Sequence, residues 1–335
     1  MSAVLIFASF LAAIIPMFIY LLLIWWMDRN EREPLWLMLL NFGWGATGAI
    51  VLAIIGSLIF QIPLSTLISN SYDGNAEELI HLSGAVITAP IVEEFTKGLF
   101  LMIMASTRKF DGIVDGVVYG GAIGLGFGMT ENFMYFVSYS DNWLLIVIIR
   151  TFFSAVMHAM AQATFGGFIG FSKFKPAILK FILIPTGYFA AVFLHFSWNL
   201  TVSFEETAPA GFFFMFSYLI ALLAVFQIAL YLESRTILRE LTEEASSGLI
   251  PQEHLKFIPF VTKKYKYGWC PQFVNQKEYV KTAVMLGLRK FQMKNTSGFS
   301  RKSYETDVEN LRYTIKRMFY DASLKYNQNS NNRPY

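Results

Sequence analysis

Residues 4–27, VLIFASFLAAIIPMFIYLLLIWWM, pass without a single charged side chain. About 20 such residues cross the hydrocarbon core of a bilayer as a helix. Six further predominantly apolar runs of spanning length follow, at 36–60, 82–104, 117–139, 143–171, 178–201 and 211–232, several of them carrying isolated charges. Seven lipid-length runs leave little freedom: the chain is expected to be all-α, a polytopic bundle of about seven transmembrane spans. Composition points the same way, since the 335 residues are 55% hydrophobic and only 15% charged, where a soluble domain carries about a quarter charged. A net charge of +3 gives no footprint for nucleic acid. With Cys270 as the single cysteine, neither an intrachain disulfide framework nor a cysteine-based zinc site can form.

The first run is expected to remain as a span. It lacks a basic leader, is too long for a signal peptide, and is followed by DRNEREP in place of a small-residue cleavage site. Loop charges set the orientation. Arg29, Arg32, Arg108, Lys109, Lys173, Lys175 and Lys180 fall in loops 28–35, 105–116 and 172–180, whereas loops 61–81, 140–142 and 202–210 hold no Lys or Arg. That asymmetry places the N-terminus outside and the C-terminus in the cytoplasm of a cell membrane. Trp25, Trp26, Trp36 and Trp143 lie at span ends, as interfacial residues do.

After residue 232 the chain turns polar. KEYVKTAVMLGLRKFQMK and YETDVENLRYTIKRMFYDA carry apolar residues at helical spacing. The expected organisation is a membrane domain at 1–232, a cytosolic helical extension at 233–326 and a disordered Asn-rich tail at 327–335. No partner for the tail can be read.

Chemistry concentrates where charge is expensive. Within APIVEEFTKGLFL, Glu93 and Glu94 stand four and three residues before Lys97, so both acids reach the ammonium on one helical turn. A charge at mid-bilayer costs at least about 2.5–3.5 kcal/mol, so three together need partners or a wet cavity. In GVVYGGAIGLGFGMTENFMYF, glycines 116, 120, 124 and 128 form a small-residue seam for helix packing. That seam runs to Asn132, with Glu131 beside it. His158 has Ser154 and Gln162 on its face, and His195 has Asn199 one turn on. Counting 1.5 Å per residue from the outer span ends puts Glu93, Glu131, His158 and His195 between about 10 and 22 Å deep, so one cavity can gather them. Three carboxylates, two imidazoles, an amide and an ammonium together would activate water. Two histidines and a glutamate would also suit a zinc ion, with His158, His195 and Glu131 as its ligands. The sequence has no H-E-x-x-H, and the glutamate–water reading requires no cofactor.

These pieces, DRNEREP, EEFTK, FDGIVDGVVYG, FGMTEN, His158 and His195, occur in the order that the PrsW-type glutamic intramembrane proteases show. The chain resembles that family over residues 1 to about 200 and, more distantly, the type II prenyl-protein (CAAX) proteases. The resemblance implies regulated intramembrane proteolysis of a membrane-protein substrate, in some relatives an anti-sigma factor. It implies Glu93 as general base, Glu94 as its support, and His158, His195 and Asn199 as donors to the developing oxyanion. Glu131 stands where the prenyl-protein proteases carry a histidine, and Lys97 replaces their arginine, which argues against a prenylated substrate. Two other classes fit parts of the pattern. An ion or small-solute transporter would use the same Glu/His relay, and a non-catalytic scaffold would bind membrane segments without cutting them.

Overall fold

The structure, a computed structural model, describes residues 2–72 and 74–331. No strand occurs among the described residues. Helix α1 is Ala3–Met27, opened by Ser2, whose hydroxyl accepts the N–H of Leu5. Helix α2 is Leu35–Ser71. Helix α3, 76–106, joins Ala76–Ser83, the π turn Gly84–Thr88 and Ala89–Ser106. Helices α4 (Ile113–Ser138), α5 (Ser140–Ser172), α6 (Ala177–Val202) and α7 (Ala208–Ser246) follow.

Six of these seven are long and apolar enough to cross a membrane. The seventh is α3, which matches them in length but is made less apolar by Glu93, Glu94 and Lys97. It also starts earlier than residue 82. Asn75 accepts the N–H of Glu78 and donates to its carboxylate, a reciprocal cap that fixes the helix start.

Two compact units divide the chain, 1–28 with 33–226 and 29–32 with 227–335. In the first, α4 is the central element and the most buried span. The glycine seam explains how. A Cβ on Gly116, Gly120 or Gly124 would collide with the backbone of Gly166, Gln162 or His158 on α5, and one on Gly128 would lie 3.0 Å from Ala155 Cα. The two backbones touch along about three turns, so the side chains of α5 are delivered at a fixed height against α4.

Three π turns interrupt the helices: Gly45–Ala49 in α2, Gly84–Thr88 in α3 and Arg150–Ser154 in α5. A π turn adds one residue and leaves backbone groups to be satisfied elsewhere. In α3 the N–H of Ala89 reaches back to Gly84 O. The next such step would need an N–H from Pro90, which has none. Ala85 O is instead capped by the Asn199 amide at 2.8 Å.

The second unit has its own core. The end of α7 supplies Ile237 and Leu241, α8 (Gln276–Lys294) supplies Tyr279, Val280, Ala283 and Val284, and α9 (Gly298–Asn331) supplies Val308 and Ile315. Buried Lys290 pairs with Glu244 at 2.5 Å, and Arg312 grips the same carboxylate with two hydrogen bonds at 2.6 and 2.9 Å. Buried Lys264 donates to the carbonyl of Arg29 at 2.6 Å, which fastens the 29–32 segment within this unit. The segment 327–335, expected to be disordered, is helical as far as Asn331, and 332–335 lie outside the described residues.

Candidate active site

Helix α3 brings the first group. Glu94 and Lys97 are completely buried, and Lys97 Nζ lies 2.7 Å from Glu94 Oε1 and 3.5 Å from Glu93 Oε2. The ammonium also sits 2.9 Å from His158 Nδ1 and 3.9 Å above the Phe127 ring. Three acceptors and an aromatic face replace the water that lysine leaves behind.

The carbonyls of α3 are held from three neighbouring helices. Gln61 of α2 donates to Ile80 O, Tyr188 of α6 to Ile91 O, Gln162 of α5 to Glu94 O, and Trp44 of α2 to Thr96 O. With Asn199 on Ala85 O, five side chains pin the helix that carries both glutamates. The same Gln162 amide reaches Glu94 Oε2 at 2.8 Å, so the glutamine fixes backbone and carboxylate together.

The histidines enter from α5 and α6 with their rings perpendicular and 4.8 Å apart. Lysine has only donors, so Lys97 leaves His158 Nδ1 as acceptor, and His158 Nε2–H donates to Glu131 Oε2 at 2.6 Å. His195 donates Nδ1–H to Glu94 Oε1 at 2.8 Å. Its Nε2 therefore presents a lone pair, 4.0 Å from Glu93 Oε2. That oxygen is buried and has no hydrogen-bond partner. A proton acceptor and an imidazole lone pair thus face a common gap.

Asn132 and Asn199 stand apart from that gap. The Asn132 carbonyl accepts from Arg150 Nε at 3.0 Å. Asn199, expected among the oxyanion donors, holds its amide on Ala85 O. Sequence reasoning did not single out Arg150. Its guanidinium lies 2.7 Å from Glu131 and 3.6 Å over the Tyr135 ring, at the first residue of the α5 π turn. A signal was present, since an arginine inside an apolar run marks function.

The other motif pieces assemble around the start of α4. Tyr119 OH donates to Glu33, and Glu33 N–H donates to the Asp28 carboxylate at 3.1 Å. Tyr119 precedes Glu131 by three turns or about 18 Å, so this polar cluster is separate from the glutamate–histidine site.

The carboxylate that joins both histidines is Glu93 rather than Glu131. One ligand atom each from Glu93, His158 and His195 lies within 4.8 Å of the others, whereas Glu131 is shared between His158 and Arg150. His195 Nε2 and Glu93 Oε2, which accepts no hydrogen bond, are free to serve a catalytic zinc, with Glu94 on His195 Nδ1 as the outer carboxylate such sites use. His158 would complete the set on releasing Lys97 from Nδ1 or Glu131 from Nε2.

Comparison with known proteins ties this site to a family. The family described as PrsW family intramembrane metalloprotease matches residues 33–228. Protease PrsW of Clostridioides difficile (strain 630) is 33% identical over 168 residues, covering 50% of this chain and 66% of that protein. Protease PrsW of Oceanobacillus iheyensis is 28% identical over 142 residues, 42% of this chain and 59% of the relative. The chain thus spans less than two thirds of the length of each of these two relatives, 66% of one and 59% of the other. Protease PrsW of Bacillus subtilis (strain 168) is 24% identical over 171 residues, 50% of this chain and 71% of it. No solved structure matches the chain.

Proposed function

Since the chain belongs to the PrsW family of intramembrane metalloproteases and is an integral membrane protein, we propose that it hydrolyses a peptide bond of a membrane-protein substrate at Glu93. One observation carries this reading: the buried Glu93 Oε2, which accepts no hydrogen bond, faces the His195 lone pair across 4.0 Å. A water in that gap has a proton acceptor on each side. Glu93 takes a proton as the water oxygen bonds to the carbonyl carbon. The C–N bond then breaks and Glu93 returns the proton to the leaving nitrogen. Glu94, held by Lys97 and Gln162, keeps His195 in the tautomer that presents Nε2. Lys97 is the cation nearest the negative charge that develops. Glu131, clamped by Arg150, fixes His158.

With a zinc ion bound, His158, His195 and Glu93 would hold it, the metal would lower the pKa of a water and polarise a carbonyl, and Glu93 would serve as ligand in place of base. The asymmetry of loop charges supports an N-terminus outside and a C-terminus in the cytoplasm. Among substrates, an anti-sigma factor is the class that the resemblance implies and the one to test first.

The test is Glu93→Gln, which keeps size and removes the proton acceptor. The purified variant should insert normally and cleave a co-expressed substrate about 10²–10⁴-fold more slowly. Activity lost on chelation and restored by zinc would establish the metal at His158, His195 and Glu93. Wild-type proteolysis by Glu93→Gln would refute the assignment.

A further inference from the structure

A groove of about 710 Å³ opens onto Glu93 and Glu131 between α2, α3 and the second half of α4. Its α2 wall runs from Ile50 to Ser65, about 22 Å at 1.5 Å per residue. An extended strand at about 3.3 Å per residue fits about seven residues along it. Extended backbone in lipid needs hydrogen-bond partners, and Ser57, Ser65 and Thr88 lie in the walls.

The space next to Glu93 is shaped by small side chains. Ala89 precedes Glu93 by one turn of α3, and Ser57 faces the groove one turn beyond Ala53 on α2. Ala53 packs on Phe127, whose ring lies under Lys97, so the groove floor there belongs to the site. The back is closed where the helices touch: a Cβ on Gly56 would lie 2.7 Å from Val92 Cγ1. What remains is a recess with an aromatic floor and two small walls.

We propose that Ser57 and Ala89 bound an apolar subsite that receives one large apolar side chain of an extended substrate segment, next to the bond cut at Glu93. The proposal rests on the proteolytic reading and names its specificity.

The experiment uses the full chain in micelles and quenched-fluorescent single-span peptides with Gly, Ala, Leu or Phe at each position around the cut, which mass spectrometry locates. Wild type should prefer Leu or Phe over Ala at one position beside the cut. Ser57→Leu and Ala89→Leu should each lower that preference by about 10–200-fold, the range that one methylene in an apolar pocket commands. A preference ratio unchanged within about twofold overturns the subsite. Because a variant can misfold, binding is read separately. A benzoylphenylalanine replacing Leu58, an exposed residue of the groove wall, in the Glu93→Gln protein should crosslink the uncut Leu peptide, while one replacing Leu222 should not. Equal labelling at both positions overturns the groove. Wild type that cuts none of the peptides, while the crosslink from position 58 still forms in the variant, supports the groove and counts against proteolysis.

Discussion

Glu94 and Lys97 invite a double-mutant cycle, because both are wholly buried and 2.7 Å apart. Removing one member of a buried pair strands the other charge and costs about 3–5 kcal/mol, whereas replacing both is often neutral. In Glu94→Gln, Lys97 keeps Glu93 at 3.5 Å and His158 at 2.9 Å, so the cost should fall near the lower end, about 3 kcal/mol. Lys97→Met leaves two buried carboxylates without their ammonium and should cost nearer 5 kcal/mol. The sum of the singles is then about 8 kcal/mol, while the double variant should lose less than about 3, a coupling of about 5 kcal/mol. Unfolding free energies measured by steric trapping in micelles provide the readout. The double variant should be folded yet poor at proteolysis, which separates the chemistry from the fold. Additive singles, within about 0.5 kcal/mol, would show that the pair is not coupled and that solvent reaches it.

Three further outcomes follow from the geometry. Asn199→Leu uncaps Ala85 O and should cost about 1–3 kcal/mol of stability; a rate loss near the 10²–10³ of an oxyanion donor would mean that the asparagine acts on substrate instead. Gly124→Val must displace His158 O and should cost about 3 kcal/mol or more, read by denaturant unfolding and refuted by wild-type stability. In the second unit, burial holds the His254 pKa below its ordinary value of 6.5. Its unfolded form binds the proton more readily, so stability is full above pH 6.5 and falls as pH drops below it. Protection factors of α8 amides, corrected for the intrinsic exchange rate, should fall on acidification, since Tyr279 OH lies 3.0 Å from His254 Nδ1, and His254→Phe should flatten that dependence.

Much of the membrane unit was legible because lipid makes apolar length decisive. The runs of α1, α4, α5 and α6 end within a few residues of their helices. The reason Glu93, Glu94, Lys97, His158 and His195 converge was legible too, since a buried charge needs a partner. What escaped depends on neighbours that sequence spacing does not identify. Asn199 sits at a plausible spacing from His195, but the π turn in α3 and the missing N–H of Pro90 create a nearer acceptor. Arg150 pairs with Glu131 across helices, so its own run gives no hint of the partner. Helix α7 continues past residue 232 to Ser246 because Ile237 and Leu241 are buried in the second core, which has nothing to do with bilayer thickness.

The charge on α3 has a consequence for how the protein is made. This helix leaves the ribosome before α5 and α6, yet His158, Gln162 and His195, which hydrogen-bond its charges, all lie on those later segments. Partitioned alone into lipid, it would carry three ionisable groups at about 2.5–3.5 kcal/mol each. Its insertion therefore belongs to a late, concerted step, in which the translocation machinery retains one segment until its partners have been synthesised. Nascent chains arrested before His195 should hold α3 in an alkali-extractable state, and longer ones should lock it into the bilayer.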